Sequence, residues 1–222
     1  MALLVALALV LAALMVADRF LRAQAESRVE AELREAFAAD GPEVDIGGAV
    51  FLPHVLSGRV PTAQVRATSA QIDAFEAREV SAQLTGVHVR EPYRVEHLRL
   101  TAVAPVDTLQ GLLARAGVPP EVQVEVTGDG LVAEGSLLGV PLQVGLTPEA
   151  RGRTIGVGLD TVRLGGTSID VTELPPALTE GLTELEVTMD DLPPGLLLED
   201  IQVHPDGLRL RIEGHDVVLE DW

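Results

Sequence analysis

The chain has 222 residues, no cysteine and a formal charge of −18, from 34 Asp and Glu against 16 Lys and Arg. Without cysteine it forms no disulfide and offers no thiol nucleophile or thiolate metal ligand. The acidic balance argues against nucleic-acid binding and against electrostatic adhesion to anionic lipid, because both need clustered basic residues. Aromatic residues make up 3% of a chain that is 47% apolar, so we expect an aliphatic core.

The N-terminal residues Met1–Ala17 carry no charged side chain. As a helix they would rise about 26 Å, against about 30 Å for the hydrocarbon core of a bilayer. This length is the short limit of a transmembrane anchor and also suits the core of a signal peptide. Ala23-Gln24-Ala25 has the form of a signal cleavage site, so an anchored and a cleaved N-terminus both stay open.

The charges around this segment bear on its orientation. Basic residues follow it, beginning with Arg19 and Arg22, and none precedes it. Taken literally, the positive-inside rule would leave the body of the protein in the cytoplasm. A start codon further upstream could supply a basic segment and reverse that orientation, so charge alone does not decide it.

Residues 18–40 predict an amphipathic stalk helix that continues from the apolar segment. Neither Gly nor Pro occurs before Gly41-Pro42, where we expect the helix to stop. Apolar residues recur near helical spacing with charges between them. These residues are Phe20, Val29, Leu33 and Phe37.

Residues 41–222 predict one β-rich domain, which makes the chain α+β. Short runs alternate apolar and polar residues, and Gly-containing turns separate them, which is typical of half-exposed antiparallel strands. One clear helix is expected at Asp107–Ala116 and a weaker one at Pro176–Leu182. The expected strands are Val60–Ala67, Val80–Val89, Arg94–Val103, Val122–Thr127, Leu142–Leu146, Thr154–Leu164, Leu185–Met189 and Ile201–Leu219.

Catalytic and metal-binding patterns are weak. No serine lies in a G-x-S-x-G motif, and no two histidines have metal-ligand spacing. Asp190-Asp191 could bind Ca²⁺ or act as acid and base, but the following Pro193-Pro194-Gly195 favours a solvated turn. We therefore expect no enzyme, no catalytic residue, no metal and no cofactor. The histidines considered are His54, His88, His97, His204 and His215.

Two stretches, together with the apolar start, resemble a known family. The first is Val50–Arg59. The second is the C-terminal stretch, which runs from Leu192–Leu196 through Val203–Leu208 to Gly214–Leu219. These resemble the actinobacterial LmeA-like family of cell-envelope phospholipid-binding proteins. The resemblance implies a protein on the extracytoplasmic face of the inner membrane, anchored there or secreted into the periplasm-like space. It also implies a role in envelope lipid or lipoglycan metabolism, with phospholipid and membrane as partners and phosphatidylinositol as a candidate ligand.

The fold that we expect is a curved antiparallel sheet around a long helix, enclosing an apolar groove, which resembles tubular lipid-binding domains. An aliphatic surface suits acyl chains. The apolar loop Val50–Leu56 would rim the groove or touch a bilayer, and packing into the core is an equal alternative. For Leu196, Leu197 and Leu198, packing into the core is the favoured alternative. The candidate groove or rim residues are Phe51, Leu52, Val55, Leu56, Leu196, Leu197 and Leu198.

A second function stays open from the residues alone. The domain could be a non-catalytic scaffold that holds an envelope enzyme complex through its sheet edges and its acidic face. The protein partner in that case is unknown. Co-purified phospholipid separates the two functions, because only the lipid binder needs it.

The acidic charge generates a prediction for the lipid binder. Recognition by burial of acyl chains is not screened by salt, so phospholipid binding should change little across a salt series. Binding of labelled phospholipid to the purified chain checks this. A steep loss of binding as salt rises would show that head-group charge dominates.

Overall fold

The computed structural model describes most of the chain and supports an α+β fold. The predicted helix Pro176–Leu182 and the pair Asp190-Asp191 lie outside the described residues. So do the side chains of residues 1–14, which form most of the predicted membrane segment. Within the described part, no helix is both long and apolar enough to span a bilayer. The described residues are 2–48, 50–72, 75–115, 121–128, 130–137, 139–169, 187–188 and 194–218.

The chain begins with one long helix and continues with short helices among antiparallel strands. The first helix covers most of the predicted stalk and ends at Ala36, before Gly41-Pro42, where the sequence predicted its end. In chain order the elements are α1 (Ala2–Ala36), β1 (Glu43–Ile46), α2 (Phe51–Ser57), β2 (Arg59–Ile72), β3 (Phe75–His88), β4 (Arg94–Pro105), α3 (Val106–Arg115), β5 (Gln123–Thr127), β6 (Gly130–Leu137), β7 (Val140–Arg151), β8 (Thr154–Leu164), β9 (Thr167–Ile169), β10 (Val187–Thr188), β11 (Leu196–His204) and β12 (Gly207–Val218).

The described strands form two sheets, where the sequence predicted one. The first sheet has the order β1-β2-β3-β4-β12-β11, and the second has the order β10-β8-β7-β6-β5, with β9 also beside β8. The sheets meet where the Leu198 amide donates to the Gly152 carbonyl at 2.6 Å. Gly152 lies in the turn between β7 and β8 with φ +68°. Because the chain reverses there, the contact is a bridge and does not extend into a ladder.

The register of the first sheet aligns apolar residues across all six strands. Directly paired residues of antiparallel strands point to the same face. Two adjacent rows on that face, called the inner face, contain only apolar residues and one glycine. The first row is Ile46, Ala63, Leu84, Leu98, Gly214 and Leu196; the second is Val44, Val65, Ala82, Leu100, Ile212 and Leu198.

The opposite, outer face of the same sheet is mainly polar. The row between the two apolar rows reads Asp45, Gln64, Gln83, Arg99, Glu213 and Leu197. The Arg99 Nε lies 2.6 Å from a Glu213 carboxylate oxygen, and this guanidinium lowers the pKa of Glu213. The sheet is therefore amphipathic, with one solvated face and one that must be covered.

Two hydrophobic cores cover opposite ends of the inner face. A smaller core joins α1 and α2 to β1 and β2. A larger core lies between the two sheets and includes Leu109 of α3. The smaller core contains Val44, Ile46, Phe51 and Val60. The larger core contains Ala104, Leu109, Val124, Leu131, Ile155, Leu196, Leu198, Leu208, Leu210, Ile212 and Val217.

Gly214 generates a prediction for stability. A Cβ at this position would lie 2.5 Å from the Leu196 Cδ2 and 2.6 Å from the Val217 Cγ2, so Gly214→Ala overpacks the larger core. We expect a loss of about 1–3 kcal/mol in the free energy of unfolding. Urea unfolding of the full chain in detergent measures it.

Gly111 is the matched control, because a Cβ there would meet no atom within 4 Å. It lies inside α3, where alanine is preferred over glycine by up to about 1 kcal/mol. Gly111→Ala should therefore leave stability unchanged or raise it. Equal losses for both variants would contradict the packing of Gly214.

Candidate functional site

The middle of the inner face is only half-buried in the structure. The six members of the two apolar rows that lie on β2, β3 and β4 have intermediate exposure. The members at both ends of these rows, on β1, β12 and β11, are buried. All six are aliphatic. We call them the central strip: Ala63, Val65, Ala82, Leu84, Leu98 and Leu100.

The central strip lies between the two cores. Val65 packs against the smaller core, and Leu98 and Leu100 pack against the larger one. Three strands at a spacing of about 4.8 Å make the strip about 10 Å wide. Ala67 and Val80, which pair directly, extend the same face along the strands. The arrangement is an aliphatic surface between two packed walls.

Helix α1 forms one wall, and carboxylates hold it there. A Glu26 oxygen accepts the Ile46 amide at 2.9 Å, and a Glu30 oxygen accepts the Val44 amide at 3.3 Å. Among the described strands, β1 is an edge of the first sheet, so no strand there pairs with these two amides on that side. The helix thus satisfies the open edge through its side chains.

The spacing of these contacts follows from helix and strand geometry. Four residues of α-helix rise about 6 Å, and two residues of β-strand span about 6.6 Å. A side chain at every fourth helical position therefore meets every second backbone group along β1. Arg22 continues the series, since its Nη2 donates to the Gly48 carbonyl at 2.7 Å.

Asp18 is the next member of the series and caps helix α2. Its carboxylate accepts the Phe51 amide at 3.0 Å and the Leu52 amide at 2.7 Å. The side chain is buried, and these two hydrogen bonds, with the nearby Arg22 charge, lower the pKa of Asp18. A carboxylate is the expected partner for free amides at a helix start. Here it comes from 33 positions away in the chain.

The predicted apolar loop Val50–Leu56 is therefore wrong as a loop, because Phe51–Ser57 is a helix. Its capping residue is remote in sequence, so no local signal marked the helix start. Phe51 is buried in the smaller core, whereas Leu52 and Leu56 are 39% and 69% exposed. The side chain of Val55 lies outside the described part.

The three predicted leucines of β11 divide by strand alternation. Leu196 and Leu198 are buried in the larger core, while Leu197 lies on the outer face and is 46% exposed. Strand β11 is four positions from β2 in the first sheet, and α2 packs on β2. The structure therefore places the two predicted groups at opposite ends of the sheet, and the central strip lies between them.

The central strip contains none of the predicted site residues. The sequence did contain a signal for the central strip, because small and aliphatic residues alternate with polar ones in the predicted strands. Assigning those residues to one shared face needs the pairing register, which a single sequence does not supply.

Titratable side chains do not converge on this surface in the described residues. No group of three or more His, Asp or Glu could hold a metal ion there. His97 and His215 make an edge-to-face ring contact at 4.8 Å, and both are exposed. The chemistry that this geometry offers is the binding of an apolar group.

Comparison with known proteins agrees with this geometry. Residues 16–213 match the model of the LmeA-like phospholipid-binding family. The chain belongs to this family. Membership of the LmeA-like family points to a protein that binds phospholipid rather than one that transforms it. No curated protein and no solved structure shows significant similarity to the chain.

Asp18 generates a prediction for pH dependence. Asp18→Asn removes the charge that both amides of α2 contact, so the melting temperature should fall by a few degrees. Because the pKa of Asp18 is lowered from its ordinary 3.8, its contribution is complete above that pH and is lost as the pH falls through the lowered pKa.

Thermal unfolding of the full chain in detergent across a pH series checks this. The difference between the wild type and Asp18→Asn should be constant near neutral pH and shrink below about 3.8. Asp45→Asn, on the exposed outer row, is the control and should show a smaller difference. A difference that grows on acidification would contradict the role of the Asp18 carboxylate.

Proposed function

We propose that the chain holds phospholipid acyl chains on the central strip, between α1 and the second sheet. The observation that carries this is the half-buried aliphatic middle of a sheet face whose two ends are fully packed. Membership of the LmeA-like phospholipid-binding family supplies the ligand class.

The strip matches an acyl chain in chemistry. Its two rows lie two residues apart along each strand, about 6.6 Å, and it is about 10 Å wide across the three strands. The strip can therefore contact part of an acyl chain, because one leaflet of the hydrocarbon core is about 15 Å deep, half of the bilayer value. Each methylene group moved from water onto an aliphatic surface contributes about 0.8 kcal/mol, without any head-group contact.

We also propose that the protein acts in the cell envelope, on the extracytoplasmic face of the inner membrane, where it supports envelope lipid or lipoglycan metabolism. Support comes from the apolar segment Met1–Ala17 and from the family. A retained segment would make α1 a tether, and a cleaved one would make the domain a diffusing carrier. Phosphatidylinositol is the candidate ligand.

The scaffold function loses part of its basis in the structure. It needs open sheet edges, but carboxylates of α1 occupy the β1 edge. At β5, an edge strand of the second sheet, the Gln110 side chain of α3 accepts the Val124 amide at 3.0 Å and donates to the Val122 carbonyl at 2.6 Å. Two edges that a protein partner could extend are thus occupied within the chain.

Filling the central strip tests the proposal. Ala82→Phe places a ring on the inner face, and Gln83→Phe places the same ring on the exposed outer face of the same strand. We expect the wild type and Gln83→Phe to retain phospholipid after bacterial expression, and Ala82→Phe to lose most of it. Native mass spectrometry of the full chain in detergent measures the bound lipid.

A second pair of variants controls for a folding defect. Ala63→Phe and Gln64→Phe repeat the comparison on β2, and circular dichroism verifies the fold of all four variants. Lipid retained equally by both inner-face variants would place the acyl chains elsewhere. A folded wild type without any lipid would favour the scaffold.

A further inference from the structure

We propose that α2 and the loop 89–93 form a bilayer-docking surface, which seats the domain directly on the membrane. The proposal rests on the membrane location given above and goes beyond it, because a tether alone would leave the domain free to move. The surface consists of Val50, Leu52, Leu56, Val89 and Tyr93.

Exposed apolar residues concentrate at this end of the molecule. The five side chains of the docking surface are between 39% and 69% exposed. Met15, Val16 and Phe20 are exposed on α1 at the same level, because Asp18 contacts the first residues of α2. Large exposed apolar side chains that cluster in this way mark an interaction site.

The bilayer is the occupant that chain continuity favours. The apolar segment supplies residues 2–17 of α1, and the carboxylate of Asp18, the first charged residue, accepts the Leu52 amide of α2. A membrane that holds the apolar segment would therefore reach the level of α2. Tyrosine and short apolar side chains are suited to the interfacial layer at that depth.

Hydrogen bonds hold the two parts of the docking surface together. The Arg90 guanidinium donates to the Leu56 carbonyl at 2.7 Å, and the Val89 amide donates to the Gly58 carbonyl at 3.1 Å. The loop is thereby fixed to the end of α2. Arg90, Glu91 and Arg94 are all exposed, so residues 90–94 carry one net positive charge at this end of an acidic protein.

The docking surface and the central strip share one end of the first sheet. Strands β2 and β4 begin there and β3 ends there, as the pairs of His88 with Arg59 and with Arg94 show. A bilayer on this surface would face the near end of the strip. Each of the three strands has an apolar residue between the docking surface and the strip. These residues are the paired valines Val60, Val87 and Val95.

The absence of cysteine allows a direct test with single labels. Leu56→Cys on the docking surface and Leu197→Cys on the outer face of β11 are matched, since both residues are exposed leucines. Each full-length variant carries an environment-sensitive fluorophore and is reconstituted into phosphatidylcholine vesicles that contain a nitroxide-labelled lipid. Tyr93→Cys is a second docking-surface probe in case Leu56→Cys does not fold.

We expect the nitroxide lipid to quench most of the emission at Leu56 and Tyr93 and little of that at Leu197. Equal quenching at all three positions would overturn the docking surface. So would a Leu56 label that is shielded from aqueous iodide but not quenched by lipid, because a second protein copy would then cover it.

Native mass spectrometry of the same variants separates this inference from the proposed function. Bound phospholipid with an unquenched Leu56 label would overturn docking alone. A quenched Leu56 label on a protein that never carries phospholipid would overturn lipid binding alone.

Discussion

Side-chain hydrogen bonds to the free backbone of an edge strand are the interaction on which the rest of this structure depends. Glu26 and Glu30 satisfy the amides of β1, and Asp18 extends the series to α2. Gln110 does the same for β5 in the second sheet. Without these contacts two sheet edges would be open to other chains, and the position of α1 would depend mainly on its apolar packing in the smaller core. The wall beside the central strip follows from that position.

The central strip results from a sheet face that is wider than its covering elements. Helix α1 reaches the β1 side and the second sheet reaches the β12 side, so the strands between them stay half-buried. Aliphatic residues in this position gain stability if an apolar ligand completes their burial. The outer face, with ion pairs such as Arg99 with Glu213, needs no such cover.

The predictability of the fold and of the site differed by element. Strands such as Thr154–Leu164 were predicted with their observed bounds, because alternation and flanking turns are local signals. The helix expected at Asp107–Ala116 was also confirmed within a residue or two. Helix α2 was missed because Asp18 caps it from a distance. The leucines of β11 could not be divided between core and surface until the strand was placed beside β12.

By itself, the sequence determined the α+β class, the long N-terminal helix, most strand positions, the aliphatic core and the resemblance to a phospholipid-binding family. All of these depend on neighbours in the chain or on composition. Only the tertiary structure decided that the described strands form two sheets, that α2 is a helix, and that six side chains from three strands form one half-buried surface. Those outcomes depend on pairing register and on hydrogen bonds between distant residues, which local sequence patterns do not encode.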